Sequence, residues 1–205
     1  HQDRMDLYMV NPRSGVAKLA LRETDKRYLR EQAYTALRFY PGHFALLSER
    51  TGYQHLYWYT LGGQLETTVT RGNFEVSDFY GYNERDGRFY YAAHKESPLR
   101  TAVYATDKLG KTTCLTPESG THDATFSTNM RYFMDVYSRL GLPPVTTLRN
   151  AAGHTEKTLI VNRNLAERME QIGSKQEFFT FALDDGTKLN GWMLKPRDFD
   201  PSRKY

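Results

Sequence analysis

The sequence predicts an all-β fold: a partial β-propeller of about three and a half four-stranded antiparallel blades, with a short linker helix and a C-terminal β-hairpin. Three observations predict it. Strand-forming aromatics abound, with 15 Tyr and 11 Phe in 205 residues, set among many Thr and Val, which favours strands over helices. Turn glycines stand at positions 15, 63, 110 and 153, at intervals of 48, 47 and 43 residues. A period of about 45 residues with several strands per unit is the signature of a propeller blade, a small sheet that needs neighbours to cover its faces. Finally, the repeat ends before Phe178, where a hairpin of different character begins.

The elements follow in order. The chain opens on the back half of a blade: Leu7-Tyr8, a Ser14-Gly15 turn and Val16 to Leu21. The first full unit has an aromatic strand Phe44 to Ser48, a polar turn Glu49 to Gln54, a strand His55 to Tyr59, a Gly62-Gly63 turn and Leu65 to Thr70. The second repeats this with Arg88 to Ala92, a turn over His94 to Pro98, Ala102 to Tyr104, a Leu109-Gly110 turn and Thr112 to Thr116. The third reads Arg131 to Asp135, Tyr137-Ser138, Pro143-Pro144, Thr146 to Leu148, Gly153 and Thr158 to Val161. Innermost strands are expected at Thr35 to Phe39, Val76 to Tyr82 and Asp123 to Phe126, where polar or small residues suit a wet central channel. Leu165, Met169 and Ile172 fall on one helical face, with Asn164 placed as N-cap. An Asp185-Gly186 turn then joins Phe178–Leu183 to Lys188–Leu194 as a hairpin. The expected organisation is propeller blades over 1–163, linker helix over 164–176 and the first hairpin of a new domain over 177–205.

Composition narrows the function classes. At 39% hydrophobic the chain is too apolar for a disordered protein. The net charge of +4 comes from 28 basic and 24 acidic residues that are interspersed, so no basic block marks a nucleic-acid tail or a membrane-binding patch. No apolar run approaches the roughly 20 residues of a membrane-spanning helix. No signal peptide opens the chain, because His1 to Arg4 are polar and Met5 to Val10 read as a strand; in an internal piece that absence says nothing of the longer protein's compartment. A single Cys114 rules out an internal disulfide and a multi-cysteine metal site, and reads as a buried thiol rather than a nucleophile.

Four segments in order resemble the dipeptidyl peptidase IV family of serine exopeptidases, in the prolyl oligopeptidase clan. Ser48-Glu49-Arg50-Thr51-Gly52-Tyr53-Gln54-His55-Leu56-Tyr57 is similar to the family's Ser-Glu-Arg-x-Gly-x-x-His-Leu-Tyr blade segment. Thr70-Arg71-Gly72-Asn73-Phe74-Glu75-Val76 resembles its Thr-x-Gly-x-Trp-Glu-Val segment, with Phe for Trp. His122 to Ser127, with Arg131-Tyr132 and Tyr137-Ser138, is similar to its last blade. Asp185-Gly186, Leu189 to Met193, Lys195-Pro196, Phe199-Asp200 and Lys204-Tyr205 resemble the entry to its catalytic domain. The resemblance implies an α/β-hydrolase domain that begins near Glu177 and continues past Tyr205, under a propeller that limits access to short peptides. It also implies removal of dipeptides, usually after proline, from peptide N-termini. A periplasmic or extracellular location follows from the family's exported bacterial members.

The chemistry that activity needs is not in this sequence. A Ser on a Gly-x-Ser-x-Gly elbow with later Asp and His is required, and no such elbow occurs. Gly173-Ser174 follows a helix instead of joining strand to helix. By the resemblance, the oxyanion tyrosine lies just after Tyr205, and the acidic pair that binds the substrate amino terminus precedes His1. Glu49, Glu75 and Glu96 do not match that pair. The six histidines, at 1, 43, 55, 94, 122 and 154, lack close ligand spacing; His55 and His122 read as bonding within blades. Asp184-Asp185 reads as a turn former rather than a calcium or acid–base pair. The pairs Arg38-Phe39, Arg88-Phe89 and Arg131-Tyr132 could stack single-stranded nucleic acid, but they recur near strand starts without a basic patch, and so read as architecture.

No catalytic, cofactor-binding or metal-binding residue is therefore assigned, and no cofactor is expected. The chain reads as a non-catalytic scaffold and gate of a dipeptidyl peptidase IV-like serine peptidase. A non-catalytic propeller interaction module, or a pseudo-peptidase, is the alternative. Expected partners are peptide substrates of the longer protein and, through open propeller edges, further copies of the chain. Nucleic acid and membrane insertion are not expected.

Overall fold

The computed structural model describes residues 2–31 and 35–205; His1 lies outside them. Strands β1 (Arg4–Val10) and β2 (Ala17–Thr24) form a two-stranded antiparallel sheet. Three four-stranded sheets follow. The first comprises β3 (Arg38–Tyr40), β4 (His43–Ser48), β5 (His55–Thr60) and β6 (Leu65–Thr68). The second comprises β7 (Val76–Asn83), β8 (Arg88–Ala93), β9 (Ala102–Asp107) and β10 (Thr112–Cys114). The third comprises β11 (Thr121–Phe126), β12 (Tyr132–Arg139), β13 (Leu142–Asn150) and β14 (Thr155–Ile160). Each sheet pairs its strands in chain order and antiparallel, so the molecule is a partial β-propeller. Gly63, Gly110 and Gly153 each lie between the third and fourth strands of their sheet, and Gly15 lies between β1 and β2. The first two strands are thus the outer half of a blade.

Neighbouring blades are stitched at equivalent places. The Val76 N–H, where the second blade begins, donates to Gln54 O in the first at 2.9 Å, and His122 N–H donates to Thr101 O at 3.0 Å one blade later. The Thr70 hydroxyl accepts the Leu56 N–H and that of Thr116 accepts the Val103 N–H, both at 2.9 Å. Each threonine follows a short fourth strand and satisfies a donor that the strand no longer pairs.

The turn glycines differ in what holds them. Gly63 has φ 87°, and a Cβ there would lie 1.6 Å from Ala20 O of the preceding half-blade. Gly153 has φ 89° and comes within 2.5 Å of Leu115 O in the same sense. Gly110 has φ 86° but nothing within 4 Å. Gly110→Ala should therefore cost only the left-handed backbone penalty, about 1–2 kcal/mol. Gly63→Ala also forces two backbones apart and should cost on the order of 3 kcal/mol or more. Urea midpoints of the two variants check this order.

Burial follows position in the arc. Phe44–Ser48 and His55–Tyr59 are buried without a break, as are Phe89–Ala93 and Ala102–Thr106. Middle strands sandwiched between blades are apolar on both faces. In β12 the pattern alternates, with Phe133 and Asp135 buried but Tyr132, Met134 and Val136 exposed, so one face of the third blade is uncovered. Tyr8, Val10 and Leu19 are exposed at the other end of the arc. There Met5, Leu7, Met9 and Leu21 pack inward on Phe44, Leu46, Tyr57 and Tyr59.

Helix α1 (Arg163–Ile172) begins one residue before the expected Asn164 cap. The capping position is Asn162, at φ 54°; its side chain donates to Pro144 O at 2.7 Å and makes no cap bond. Of the expected apolar face, Met169 is half-buried while Leu165 and Ile172 are exposed. Pro143-Pro144, set apart from Thr146 to Leu148 by the sequence pattern, lies inside β13; the turn is at Leu140-Gly141. The pair is accommodated because the register shifts opposite it, between Tyr137 and Arg139, and such irregularities tolerate residues without an N–H. Strands β15 (Lys175–Ala182) and β16 (Lys188–Lys195) pair antiparallel as the closing hairpin.

Candidate functional site

The inner strands β3, β7 and β11 converge on an open cavity of about 430 Å3. Its lining includes Arg38, Tyr40, Asp78, Tyr80, Thr125 and Ser127. Alternation along β11 leaves Thr121, Asp123 and Thr125 exposed, and a register shift in β7 between Val76 and Asp78 leaves Ser77 and Asp78 exposed side by side, as expected of strands lining a wet channel. Two tyrosines tie the inner strands together: Tyr40 Oη accepts the Tyr82 N–H at 3.0 Å and Tyr80 Oη accepts the Ala124 N–H at 3.4 Å. Burial is the leading cause that raises both phenols above their ordinary value. This edge offers hydrogen-bonding groups and charge to a polar chain, but no nucleophile with a base. Ser127 Oγ is engaged with Asn129 Oδ1 at 2.9 Å and Tyr132 O at 3.0 Å.

Histidines elsewhere are consumed by structure. His55 Nδ1 lies 3.0 Å from Thr70 Oγ1, and its Nε2 lies 2.9 Å from Gly72 O. His94 Nδ1 lies 2.9 Å from Arg100 O. His122 pairs with Asp135 at 2.8 Å, which has the look of half a catalytic triad. Its Nε2, however, lies 3.1 Å from Glu118 O, and both side chains are fully buried, so no serine or substrate can reach the ring. Arg149 completes this cluster, with Nε 3.0 Å from Asp135 Oδ2 and an η-nitrogen 2.8 Å from Glu118 Oε1. Burial pushes the Glu118 carboxyl up, but Arg149 and local hydrogen bonds outweigh it and hold the group below its ordinary value.

A second node joins the half-blade to the first blade. Ser48 donates to Glu23, which is 6% exposed. Arg50 donates from Nε to Ser48 Oγ at 2.9 Å, and reaches Glu23 at 3.3 Å and the Tyr59 hydroxyl. Its guanidinium lies 4.3 Å from the centre of the Tyr57 ring. Burial opposes the Arg50 charge; Glu23 and Tyr59 overcome it and raise the group above its ordinary value. The segment Ser48 to Tyr57 is thus an architectural weld between blades.

The remaining candidates fall out similarly. The Cys114 thiol is pushed up by burial, the opposite of an activated nucleophile. Asp185 Oδ1 accepts the Thr187 N–H at 2.8 Å beside Gly186 at φ 83°, as a turn former does. Glu75 accepts the Gln54 N–H and Glu49 pairs with Arg30. Glu96 accepts the Tyr104 hydroxyl. Arg38-Phe39 and Arg88-Phe89 open β3 and β8, and Arg131-Tyr132 leads into β12. Among the described residues no group of three or more His, Cys, Asp or Glu side chains could hold a metal ion.

Comparison with known proteins places this arrangement. A family model described as the dipeptidyl peptidase IV (DPP IV) N-terminal region matches residues 1–144. The chain belongs to the dipeptidyl peptidase IV family. A solved relative, dipeptidyl peptidase 4 of Porphyromonas gingivalis, superposes with a TM-score of 0.94 at 37% identity, over 100% of this chain and 29% of that one. Dipeptidyl peptidase 4 of Arthroderma otae is 26% identical over 167 residues, 78% of this chain and 21% of its own length. Dipeptidyl peptidase 8 of Mus musculus is 26% identical over 152 residues, 68% of this chain and 17% of its own length. The chain thus spans about a fifth of the curated dipeptidyl peptidases it matches. Among the described residues no helix is long and apolar enough to cross a membrane.

The dipeptidyl peptidase IV membership gives the Ser48–Tyr57 and Thr70–Val76 segments a physical meaning. They carry the Glu23–Ser48–Arg50 weld, the His55–Thr70 bond and the Gln54–Glu75 stitch. The clusters around Glu23 and Asp135 had no local sequence signal, because their members lie far apart in the chain: Glu23 with Arg50, His122 with Arg149.

Proposed function

We propose that this chain is the C-terminal part of the β-propeller of a serine dipeptidyl peptidase. Residues 177–205 are the first hairpin of its hydrolase domain, and 164–176 link the two. In this reading the longer protein removes dipeptides of X-Pro type from peptide N-termini, and this chain scaffolds and gates without catalysing. The carrying observation is the superposition of the whole chain, closing hairpin included, on the P. gingivalis dipeptidyl peptidase 4. The hairpin supports it further: Phe178, Phe181, Trp192 and Leu194 are all exposed, which suits a strand pair awaiting a larger sheet and its covering layers. We place the protein outside the cytoplasm, periplasmic or extracellular; cell fractionation with an antibody to this chain tests that.

The experiment on activity compares this chain with the longer open reading frame on an alanyl-prolyl chromogenic amide. The longer protein should turn the substrate over and lose activity when its elbow serine is replaced. Residues 1–205 should not exceed buffer, because their sequence holds no Gly-x-Ser-x-Gly elbow. A folded, inactive longer protein would favour the non-catalytic interaction module. Turnover by residues 1–205, abolished by a substitution within them, would refute the scaffold role.

The partner expected of the isolated chain is itself. The exposed faces at Tyr8, Val10 and Leu19 and at Tyr132, Met134 and Val136 are apolar surfaces that blades cover in a closed ring. At roughly 25 cal/mol per Å2, a few hundred Å2 of such surface favours association by several kcal/mol before association entropy is subtracted. Sedimentation at micromolar concentration should show dimers or larger species. A clean monomer would mean that the ends are capped.

A further inference from the structure

His55 and His122 both bond through two ring nitrogens, with different consequences. At His55 one partner is the Thr70 hydroxyl and the other is Gly72 O. A hydroxyl can donate to a bare ring nitrogen, so a neutral ring with hydrogen on Nε2 satisfies every atom. His122 faces acceptors on both sides. Its Nδ1 lies 2.8 and 3.0 Å from the two Asp135 carboxylate oxygens, and its Nε2 lies 3.1 Å from Glu118 O and 3.9 Å from Glu118 Oε2. A neutral ring with hydrogen on Nδ1 would turn a lone pair on Nε2 toward two oxygens. The other tautomer would turn a lone pair toward the carboxylate. The ring is fully buried, so no solvent separates the atoms.

Charge counting gives the same answer. Asp135 and Glu118 bring two negative charges and Arg149 one positive charge. Asp135 and Arg149 are buried and offset each other, and Glu118, with one carboxylate oxygen 3.9 Å from Nε2, adds a negative charge that favours a positive ring. Placed on Asp135 instead, the same proton would remove the carboxylate charge that faces Arg149 Nε at 3.0 Å.

We propose that His122 carries hydrogen on both ring nitrogens, and that this imidazolium is the balancing member of a four-charge latch on the crossover from the second blade to the third. The crossover runs from Pro117 to Gly120, between β10 and β11. The third blade grips it at consecutive residues: His122 at Glu118 O, Arg149 at the Glu118 carboxylate, and Tyr137, which donates its hydroxyl to Ser119 O at 2.8 Å. Tyr137 also stacks on His122, 4.7 Å between ring centres. Immediately beyond, Thr101 N–H donates to Gly120 O at 3.2 Å and His122 N–H to Thr101 O at 3.0 Å, which stitches the two blades. The ring proton thus acts on an inter-blade joint. Asp135, Glu118, Arg149 and Tyr137 are the titratable groups facing it, from β12, the crossover and β13.

Nitrogen-15 NMR of the unsubstituted, histidine-labelled chain tests this without a variant. At pH 7 His122 should show two slowly exchanging ring N–H signals with imidazolium-type nitrogen shifts, and His55 only one. On raising the pH, loss of the second His122 signal should coincide with lost exchange protection at the Thr101 and His122 amides, while amides of β5 stay protected. A single ring N–H at pH 7 overturns the proposal, as does a neutral-type ring beside a protonated Asp135. Unchanged Thr101 and His122 protection through the loss of the ring proton overturns the latch. In Glu118→Gln, which keeps the backbone acceptor and alters a side chain that is 44% exposed, the joint should lose protection at a lower pH than in the unsubstituted chain. An unchanged profile there removes Glu118 from the charge set.

Discussion

Asp135→Ala should destabilise the chain by about 3–5 kcal/mol, because it strands two buried partners at once. Asp135 is fully buried, between His122 Nδ1 at 2.8 Å and Arg149 Nε at 3.0 Å. Removing the carboxylate leaves Arg149 Nε and His122 Nδ1 without their shared acceptor in a region water does not reach, while Arg149 keeps Glu118 and Gly153 O and the ring keeps Glu118 O. The arithmetic is asymmetric: the intact pair contributes modestly, whereas the broken pair costs the desolvation of what remains. An exposed carboxylate gives the control, and Asp184→Ala should stay within about 0.5 kcal/mol of the unsubstituted chain. Urea unfolding followed by circular dichroism reads both, at one fixed protein concentration because association shifts apparent stability. A loss below about 1 kcal/mol at Asp135 would mean that the cluster is solvated, since that is the range of exposed pairs.

Trp58→Ala should cost a similar amount, about 3–5 kcal/mol, through cavity formation alone. Trp58 is 1% exposed at the junction of the first and second blades. Its ring centre lies 5.1 Å from that of Tyr40, 4.8 Å from Tyr82, 5.0 Å from Phe89 and 5.0 Å from His43. Tyr82 and Phe89 belong to the second blade, so the truncation opens a hole in a joint between blades. Among the described residues the indole Nε1 meets no acceptor, so Trp58→Phe forfeits volume without forfeiting a hydrogen bond. It should therefore cost less than Trp58→Ala, because the phenyl ring leaves a smaller cavity than a methyl group does. Equal losses for the two variants would point instead to an unseen partner for the indole nitrogen.

Local pattern accounts for a large part of this fold. The glycine interval placed every turn between third and fourth strands, because those turns require positive φ and glycine adopts it freely. Strand positions were legible where apolar and aromatic runs were continuous, as at Phe44–Leu47 and Leu56–Tyr59. The closing hairpin was legible in Asp185-Gly186, a two-residue signal for a turn whose geometry is decided within a few bonds. Where a second element competes, local pattern fails. Asn164 is a good capping residue, but Asn162 takes the position and gives its side chain to Pro144 O. Pro143-Pro144 reads as separate from Thr146 to Leu148, yet a register shift opposite it lets the strand run through.

The candidate site divides along the same line. That the chain lacks a serine elbow is a matter of contiguous residues, and so are its blade period and the segments it shares with dipeptidyl peptidases. Those followed from the order of amino acids, because backbone preference and side-chain alternation act over a few residues at a time. Several features belong to the folded arc alone: the approach of Gly63 to Ala20, the weld of Arg50 to Glu23, and the meeting of His122 with Asp135 and Arg149. Each joins segments from different strands or different blades. Its strength comes from excluding water and from sub-ångström placement, and both arise only when blade packs against blade.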